Sequence, residues 1–533
     1  MYEKCDVDKP FRFNNLFVFP ENFDLYYRRF GVLPFQAGDI KRGWYSYVFL
    51  FYHNSIIFEK SIHNLSLAFR RQTCVRKFEI VGWEDEARKK QYDMFRITPG
   101  NNRRWSRTKN LLLQHLQKPL LILHKDLDEY MSDFCNNPHP KKQLRVNAKR
   151  FLQSQGNLYN NLFMKHILLK LKCPEWAKPG KYGRTIGDYS VEGSLLTHGL
   201  IDFMKEILFT EYLSFSFIIF KCRTPTVQVL RELFVRFYRS DKDLFAFNSD
   251  DGILYIVCTD GILRANIDLS SCDISNGVAI FEFLSHWASV DPILSEFVEL
   301  AIKQCKQTVK VVNPERPKQK LFVKPVQPIE FSGSTLTTIL NDIAMLLIAL
   351  RFSYVKRYRV LSKSQTKQLF LDSAESCGYI VTFDSVAFEG LQFFKYSPVL
   401  IDGKVLVCLN LGVILRSLGH TKGDFPGRGP IGLRGLKHSA SVVMGLMHTG
   451  NTVVLRALID RFSGFDVSVL KLHHVLDGEA PEDLGYSPFL CRYGATQAEV
   501  DELCQSIRSL SVGDVVNSDF IRKVFAIDYG IDT

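Results

Sequence analysis

Between Asp243 and Leu269 short apolar runs close around a few aspartates, and this arrangement constrains the fold more than any other part of the chain. In DLFAFNSDDGILYIVC, Leu244 to Phe247 and Ile253 to Val257 flank a polar tip of Ser249, Asp250, Asp251 and Gly252. The pattern predicts two short strands joined by a tight turn, because Asp and Gly accept the backbone angles such turns need. In the following ILRANIDLSSCDISNG, Ile262 to Leu269 reads as a strand running into a turn, with Asp268 and Asp273 five residues apart across its end. Carboxylate oxygens at a strand end are suitable ligands for a hard cation such as Mg2+. Each segment has an ordinary reading too: Asp-Asp-Gly is common turn composition, and Asp273 suits a helix cap. Taken together they say more, since buried strands ending in clustered carboxylates are electrostatically costly unless a cation is bound.

A third segment, EFSGSTLTTILNDIAMLLIALRF, opens on the flexible pair Ser332-Gly333. It continues as a helix with apolar residues at Leu336, Ile339, Leu340, Ile343 and Leu347. Thr337 and Asn341, four apart, share one helix face and could hydrogen-bond a ligand's hydroxyl. The plain alternative is an amphipathic helix whose Thr and Asn face solvent.

With 533 residues the chain has room for about three lobes. Its formal charge of +12 favours an anionic partner, nucleic acid before an acidic membrane surface, although solubility alone would also account for it. Twelve cysteines without a C-x-x-C pair, and a charged opening MYEKCDVDKP unlike a signal peptide, point to reduced thiols in a cytosolic setting. Two apolar stretches, Trp44 to Phe58 and Thr335 to Leu350, are interrupted by polar residues, so no transmembrane segment is expected. Residues 1–136 mix strand-like and helix-like runs, and basic, proline-punctuated segments follow at NNPHPKKQLR and CPEWAKPGKYGR. Residues 303–330 read as an extended basic loop or insertion, and the glycine-rich 417–438 stretch as a flexible loop. The expected class is mixed α+β, with helix dominant outside the centre.

These residues resemble the palm of viral RNA-dependent RNA polymerases. Asp268-x4-Asp273 is similar to the family's motif A, and Ser332-Gly333-x3-Thr337-x3-Asn341 matches motif B at each signature position. Ser249-Asp250-Asp251 between apolar strands looks like motif C. The order here is C, A, B, as in the permuted polymerases of permutotetravirus-like and birnavirus-like viruses. Residues 362–383 look like motif D and 388–397 like motif E, with no second pair of carboxylates after motif B. Upstream, Lys178, Lys181 and Arg184 resemble the basic motif F that lines the nucleotide channel, and Lys141 and Lys142 lie where motif G contacts the template. The segment around Lys181 lacks G-x4-G-K-[ST], so it is no P-loop. The resemblance covers about residues 138–400.

The resemblance implies a right-hand polymerase: residues 1–240 as N-terminal region and fingers, 241–400 as palm, and 401–533 as thumb. The palm would be a small antiparallel sheet backed by helices, holding motifs C (245–256), A (264–277) and B (331–347), with a basic fingers-type insertion at about 288–330. It implies that Asp268, Asp250 and Asp251 hold two Mg2+ ions, replaceable by Mn2+, for template-directed transfer of ribonucleotides to an RNA 3′-end. With them, Lys178, Lys181, Arg184, Asp273, Ser332, Gly333, Thr337 and Asn341 would bind the nucleotide, Asp273 and Asn341 sensing its ribose 2′-hydroxyl. Lys395 in motif E would touch RNA, as would Lys141 and Lys142. Between Cys377 and Leu391 there is no lysine to serve as the motif D acid. Partners would be RNA template and product, ribonucleoside triphosphates and other viral replication or capsid proteins, in a replication complex of the host cytoplasm or in the virion. The rivals are a catalytically inactive polymerase-like subunit and a basic RNA-binding structural protein.

Overall fold

The computed structural model describes residues 44–46, 50–51, 78–83, 167–171, 185–189, 212–214, 216–222, 226–270, 272–289, 292–312, 320–325, 327–417, 420–422, 440–441, 443–461, 483–509, 515–516 and 518–529. Its centre is a six-stranded sheet. The strands are β1 (Tyr212–Ser214), β2 (Phe217–Lys221), β3 (Asp243–Asn248), β4 (Asp251–Cys258), β5 (Gly261–Leu269) and β6 (Val381–Ser385), in the order β6-β5-β4-β3-β2-β1. Expected to be antiparallel, the sheet is mixed. β2 and β3 run parallel, joined through helix α1 (Val227–Tyr238), whereas the other neighbours are antiparallel. A parallel pair needs such a crossover, and α1 has the apolar stripe to cover it: Leu230, Leu233, Phe234 and Phe237 are buried at helical spacing. Thr226 caps its start, its hydroxyl accepting from the Val229 N–H at 3.2 Å.

Alternation along the strands splits the core. Leu254 and Ile256 of β4 and Leu263, Ala265 and Ile267 of β5 face one side, where they join α2 (Val278–Ala288), α3 (Pro292–Gln304), α4 (Thr337–Lys356) and α5 (Lys363–Ser376). Ile253 and Tyr255 face the other side, against α1 and the C-terminal helices α6 (Thr452–Arg461), α7 (Ser487–Tyr493), α8 (Gln497–Ser509) and α9 (Asp519–Tyr529). Both faces are therefore covered, and each fully buried Leu, Ile or Phe contributes about 1.5–3 kcal/mol. By length and composition α4 could cross a membrane, yet 78% of its most apolar window is buried inside the protein. It is a core helix laid across β2 and β3.

The 303–330 segment is more ordered than its lysines and prolines suggest. A strand at Val309–Val312 pairs antiparallel with Lys320–Pro325. These strands join Phe78–Trp83, Ile167–Leu171 and Thr185–Asp188 in a five-stranded sheet. The VKVV run and the following LFV supply strand propensity that the surrounding charges obscure. After β6, a hairpin of β7 (Tyr396–Ile401) and β8 (Lys404–Leu409) leads to the C-terminal helices.

Candidate active site

Asn248 pairs with Asp251 across β3 and β4, so Ser249 and Asp250 form a two-residue turn at the end of the central sheet. Ser249 adopts φ 56°, a position where such turns favour glycine. The tip is held on several sides. The Ser249 N–H donates to Asp342 Oδ1 at 2.7 Å, Asn341 Nδ2 donates to Ser249 Oγ at 3.2 Å, and Asn248 Nδ2 donates to the Cys222 carbonyl at 2.6 Å.

The register of β4 against β5 sets Asp268 directly opposite Asp251. The Leu269 N–H also donates to the Asp250 carbonyl at 3.2 Å, which ties the turn to the end of β5. Residues opposite each other in an antiparallel pair point to the same side, with Cβ atoms about 4.5–5.5 Å apart. Asp250 and Asp251 are half-buried and Asp268 is exposed, so the three residues meet at a sheet end open to solvent. Like charges placed opposite each other destabilise a sheet, and a divalent cation between them removes that cost. Among the described residues no group of three or more His, Cys, Asp or Glu side chains stands where it could hold a metal ion. Mg2+ keeps several waters and takes one or two protein carboxylates together with substrate phosphates, and the pair Asp251 and Asp268, opposite each other at this sheet end, has the chemistry for that smaller share.

Beneath the carboxylates lies a buried polar network. Asp273 lies in a short helix at Cys272–Ser275, and Asn276 follows it. Asn276 Nδ2 donates to Glu330 Oε2 and, at 3.0 Å, to Asn341 Oδ1, while the Tyr379 hydroxyl donates to Asn276 Oδ1 at 2.7 Å. The Cys272 thiol donates to Asn341 Oδ1 at 3.0 Å. Burial first, and then the neighbouring Asp273 carboxylate, push the Glu330 carboxyl well above the usual carboxylate range. Burial raises the Tyr379 and Cys272 groups in the same way, so the network favours neutral members. Asn341 is only 2% exposed, and its oxygen and amide are both committed to this network and the turn. It braces the strand ends and does not face solvent.

Of the remaining expected residues, Ser332, Gly333 and Thr337 belong to one described turn and Lys395 to another. The Ser332 carbonyl accepts the Gly187 N–H at 2.9 Å, docking the Ser332-Gly333 turn on the strand Thr185–Asp188. Thr337 lends its hydroxyl to the Phe331 carbonyl at 3.1 Å, closing the same turn. Lys395 sits with Phe394 in a second two-residue turn, both at positive φ (65° and 53°), between Phe393 and Tyr396. Its loop is anchored by Asn266, whose Oδ1 accepts the Gln392 N–H at 2.8 Å and whose Nδ2 donates to the Gly390 carbonyl at 3.0 Å. Asn266 lies two residues before Asp268, on the same face of β5. Lys141, Lys142, Lys178, Lys181 and Arg184 lie outside the described residues.

Sequence reasoning passed over Asp342, Asn276, Glu330, Tyr379 and Asn266. A signal existed for two of them. Asp342 interrupts an otherwise apolar helix, and Glu330 sits between Ile329 and Phe331; an acid in such a setting is rarely buried without a partner.

No protein-family model matches the chain, and no curated protein matches it. Among solved structures, the chain is similar to the RNA polymerase VP1 of infectious pancreatic necrosis virus, with a TM-score of 0.42 and 13% identity, covering 74% of this chain and 64% of that one. It is also similar to the birnavirus VP1–VP3 complex structure, with a TM-score of 0.41 and 12% identity, covering 72% of this chain and 63% of that one. The chain thus spans less than two thirds of the length of either.

Proposed function

We propose that the protein is a viral RNA-dependent RNA polymerase that extends an RNA 3′-end with ribonucleotides, its palm motifs running C, A, B along the chain. One observation carries the reading: the strand register sets Asp268 opposite Asp251 and beside the Asp250 turn, so the expected metal ligands share one sheet end. Asp268, Asp250 and Asp251 would hold Mg2+ or Mn2+. When bound, the metal pair supplies Lewis-acid stabilisation of the charge that develops on the attacking and leaving oxygens. The chain's own residues supply position. Asn341 and Asp342 hold the carboxylate turn. The Ser332-Gly333 turn follows two residues after Glu330, the neighbour of Asp273, and would offer its backbone groups to the ribose side of the nucleotide. Lys395 would meet the RNA backbone as a point charge. Lys178, Lys181 and Arg184, which precede the strand Thr185–Asp188 in the sequence, would bind the triphosphate.

The setting would be viral genome replication and transcription, in a cytoplasmic replication complex or in the virion. The test is extension of an RNA primer on an RNA template with ribonucleotides and Mg2+, comparing wild type with Asp268→Ala and Asp250→Ala. Wild type is expected to extend, and each variant to fall by at least about 10³-fold, as removal of central catalytic groups does elsewhere. Equal incorporation by wild type and variants would reject the catalytic assignment. Binding of RNA without any extension would favour an inactive polymerase-like or structural RNA-binding protein.

A further inference from the structure

Asp342 lies within the motif B span but at none of its signature positions, yet it is fully buried and makes the shortest contact to the backbone of the carboxylate turn. Its Oδ1 accepts the Ser249 N–H at 2.7 Å, and its Oδ2 lies 3.5 Å from the Lys221 ammonium, with the two side chains 0% and 3% exposed. Lys221 ends β2, beside Phe247 in the parallel register, and so approaches the turn from the sheet while Asp342 approaches from α4. A carboxylate this deeply buried is unfavourable unless it is paired and hydrogen-bonded, and here one partner is the ion pair and the other is the turn itself. The turn needs such a partner. Ser249 holds a positive φ without being glycine, and its N–H points toward the helix rather than toward the strand ladder.

Resting on the polymerase reading, we propose that Asp342, fixed by Lys221, is a positioning residue that sets where the Asp250 and Asp251 carboxylates stand. It touches neither metal nor nucleotide. It acts through the backbone of Ser249, in the way that outer partners orient metal ligands, where substitution costs about 10–100-fold in affinity or activity.

Two paired substitutions separate positioning from mere support of the fold. Lys221→Gln with Asp342→Asn replaces the ion pair by an amide pair and keeps an acceptor for the Ser249 N–H. Lys221→Met with Asp342→Leu replaces it by apolar side chains and removes the acceptor. Both avoid stranding a buried charge. Two readouts are taken: Mn2+ affinity by electron paramagnetic resonance, with Asp250→Asn as the reference for loss of the site, and RNA extension with kcat and KM for ribonucleotides. The Met/Leu protein is expected to bind Mn2+ and turn over on the order of 10- to 100-fold more weakly than wild type, with KM nearly unchanged, and the Gln/Asn protein to recover most of that loss. Equal Mn2+ affinity and equal kcat in the two paired variants would overturn the proposal while leaving the polymerase reading intact. If wild type binds Mn2+ but extends nothing, the polymerase reading fails and the Mn2+ comparison alone decides on Asp342. If wild type shows no Mn2+ binding lost in Asp250→Asn, both fail.

Discussion

Gly333→Ala tests the docking of the Ser332-Gly333 turn on the neighbouring strand. Gly333 has φ 102°, and a Cβ built there would stand 2.6 Å from the Gly187 carbonyl oxygen and 2.8 Å from Ile186 Cγ2. Real Cβ atoms do not approach that closely, and the first obstacle is backbone, so the two segments must separate. Forcing alanine into a sparsely populated backbone region costs about 1–3 kcal/mol. Losing the hydrogen bond from the Gly187 N–H to the Ser332 carbonyl adds about 1 kcal/mol. The sum, about 2–4 kcal/mol, lowers the population of the docked turn by roughly 30- to 700-fold. Hydrogen exchange at Gly187 reads this without reference to activity, and protection there is expected to fall steeply. Gly403→Ala is the control: its φ is 75°, but nothing lies within 4 Å of the added Cβ, and it sits in the distant turn between β7 and β8. Its cost is backbone conformation alone. If Gly333→Ala leaves the Gly187 amide as protected as in wild type, the close approach does not govern the turn and the reasoning fails.

Two further perturbations follow from the charges. Lys356 and Asp243 form an ion pair at 2.5 Å with side chains 9% and 7% exposed, and Asp243 also accepts the Val257 N–H at 2.9 Å. Lys356→Met strands that carboxylate and is expected to destabilise the sheet by about 3–5 kcal/mol, seen as a lowered thermal midpoint, whereas Lys356→Met with Asp243→Asn recovers part of it; equal midpoints for the two proteins would reject the ion-pair account. On the surface, hydrogen bonds from Lys523 and then from the Thr496 backbone and hydroxyl hold the Glu499 carboxyl at about 2. A depressed carboxyl stabilises above its unfolded value of about 4.3, and the contribution is lost as pH falls toward the folded value. Hydrogen exchange of α8 and α9 is therefore expected to quicken over that acid window in wild type, and Glu499→Gln to flatten this dependence; the same slope in both proteins would sink the assignment.

Much of the central sheet was legible because its strands alternate or run apolar between turn residues. DLFAFN and DGILYIVC announce a hairpin, and the register that follows from a two-residue turn is nearly forced. The long apolar run after Thr337 likewise declares a buried helix. Other features depend on contacts that local pattern does not encode. The parallel pairing of β2 with β3 depends on where α1 packs, and the strands at 309–312 and 320–325 find their partners far away at 78–83 and 167–171. The polar network is hidden for the same reason. Asn276, Glu330 and Tyr379 come from three separate segments, and of these only Glu330, an acid between apolar residues, carries a local signal.

The aspartates themselves owe their proximity to local structure. Asp250, Asp251 and Asp268 come from one meander, β3 to β5, whose two turns are Ser249-Asp250 and Thr259-Asp260. Contacts of such short sequence separation have little loop-closure entropy to overcome. What the meander cannot supply is a rigid tip, because Ser249 is strained and like charges crowd the strand ends. That rigidity comes from α4, whose Asn341 and Asp342 reach the turn from more than ninety residues along the chain. The division has a consequence for substitutions. Changes within the meander that keep its register should spare the juxtaposition of the carboxylates, whereas changes in how α4 packs on β2 and β3 should blur their geometry even where every aspartate is retained. On this reasoning the geometry of the three aspartates depends on the core helix behind them as well as on the meander that carries them.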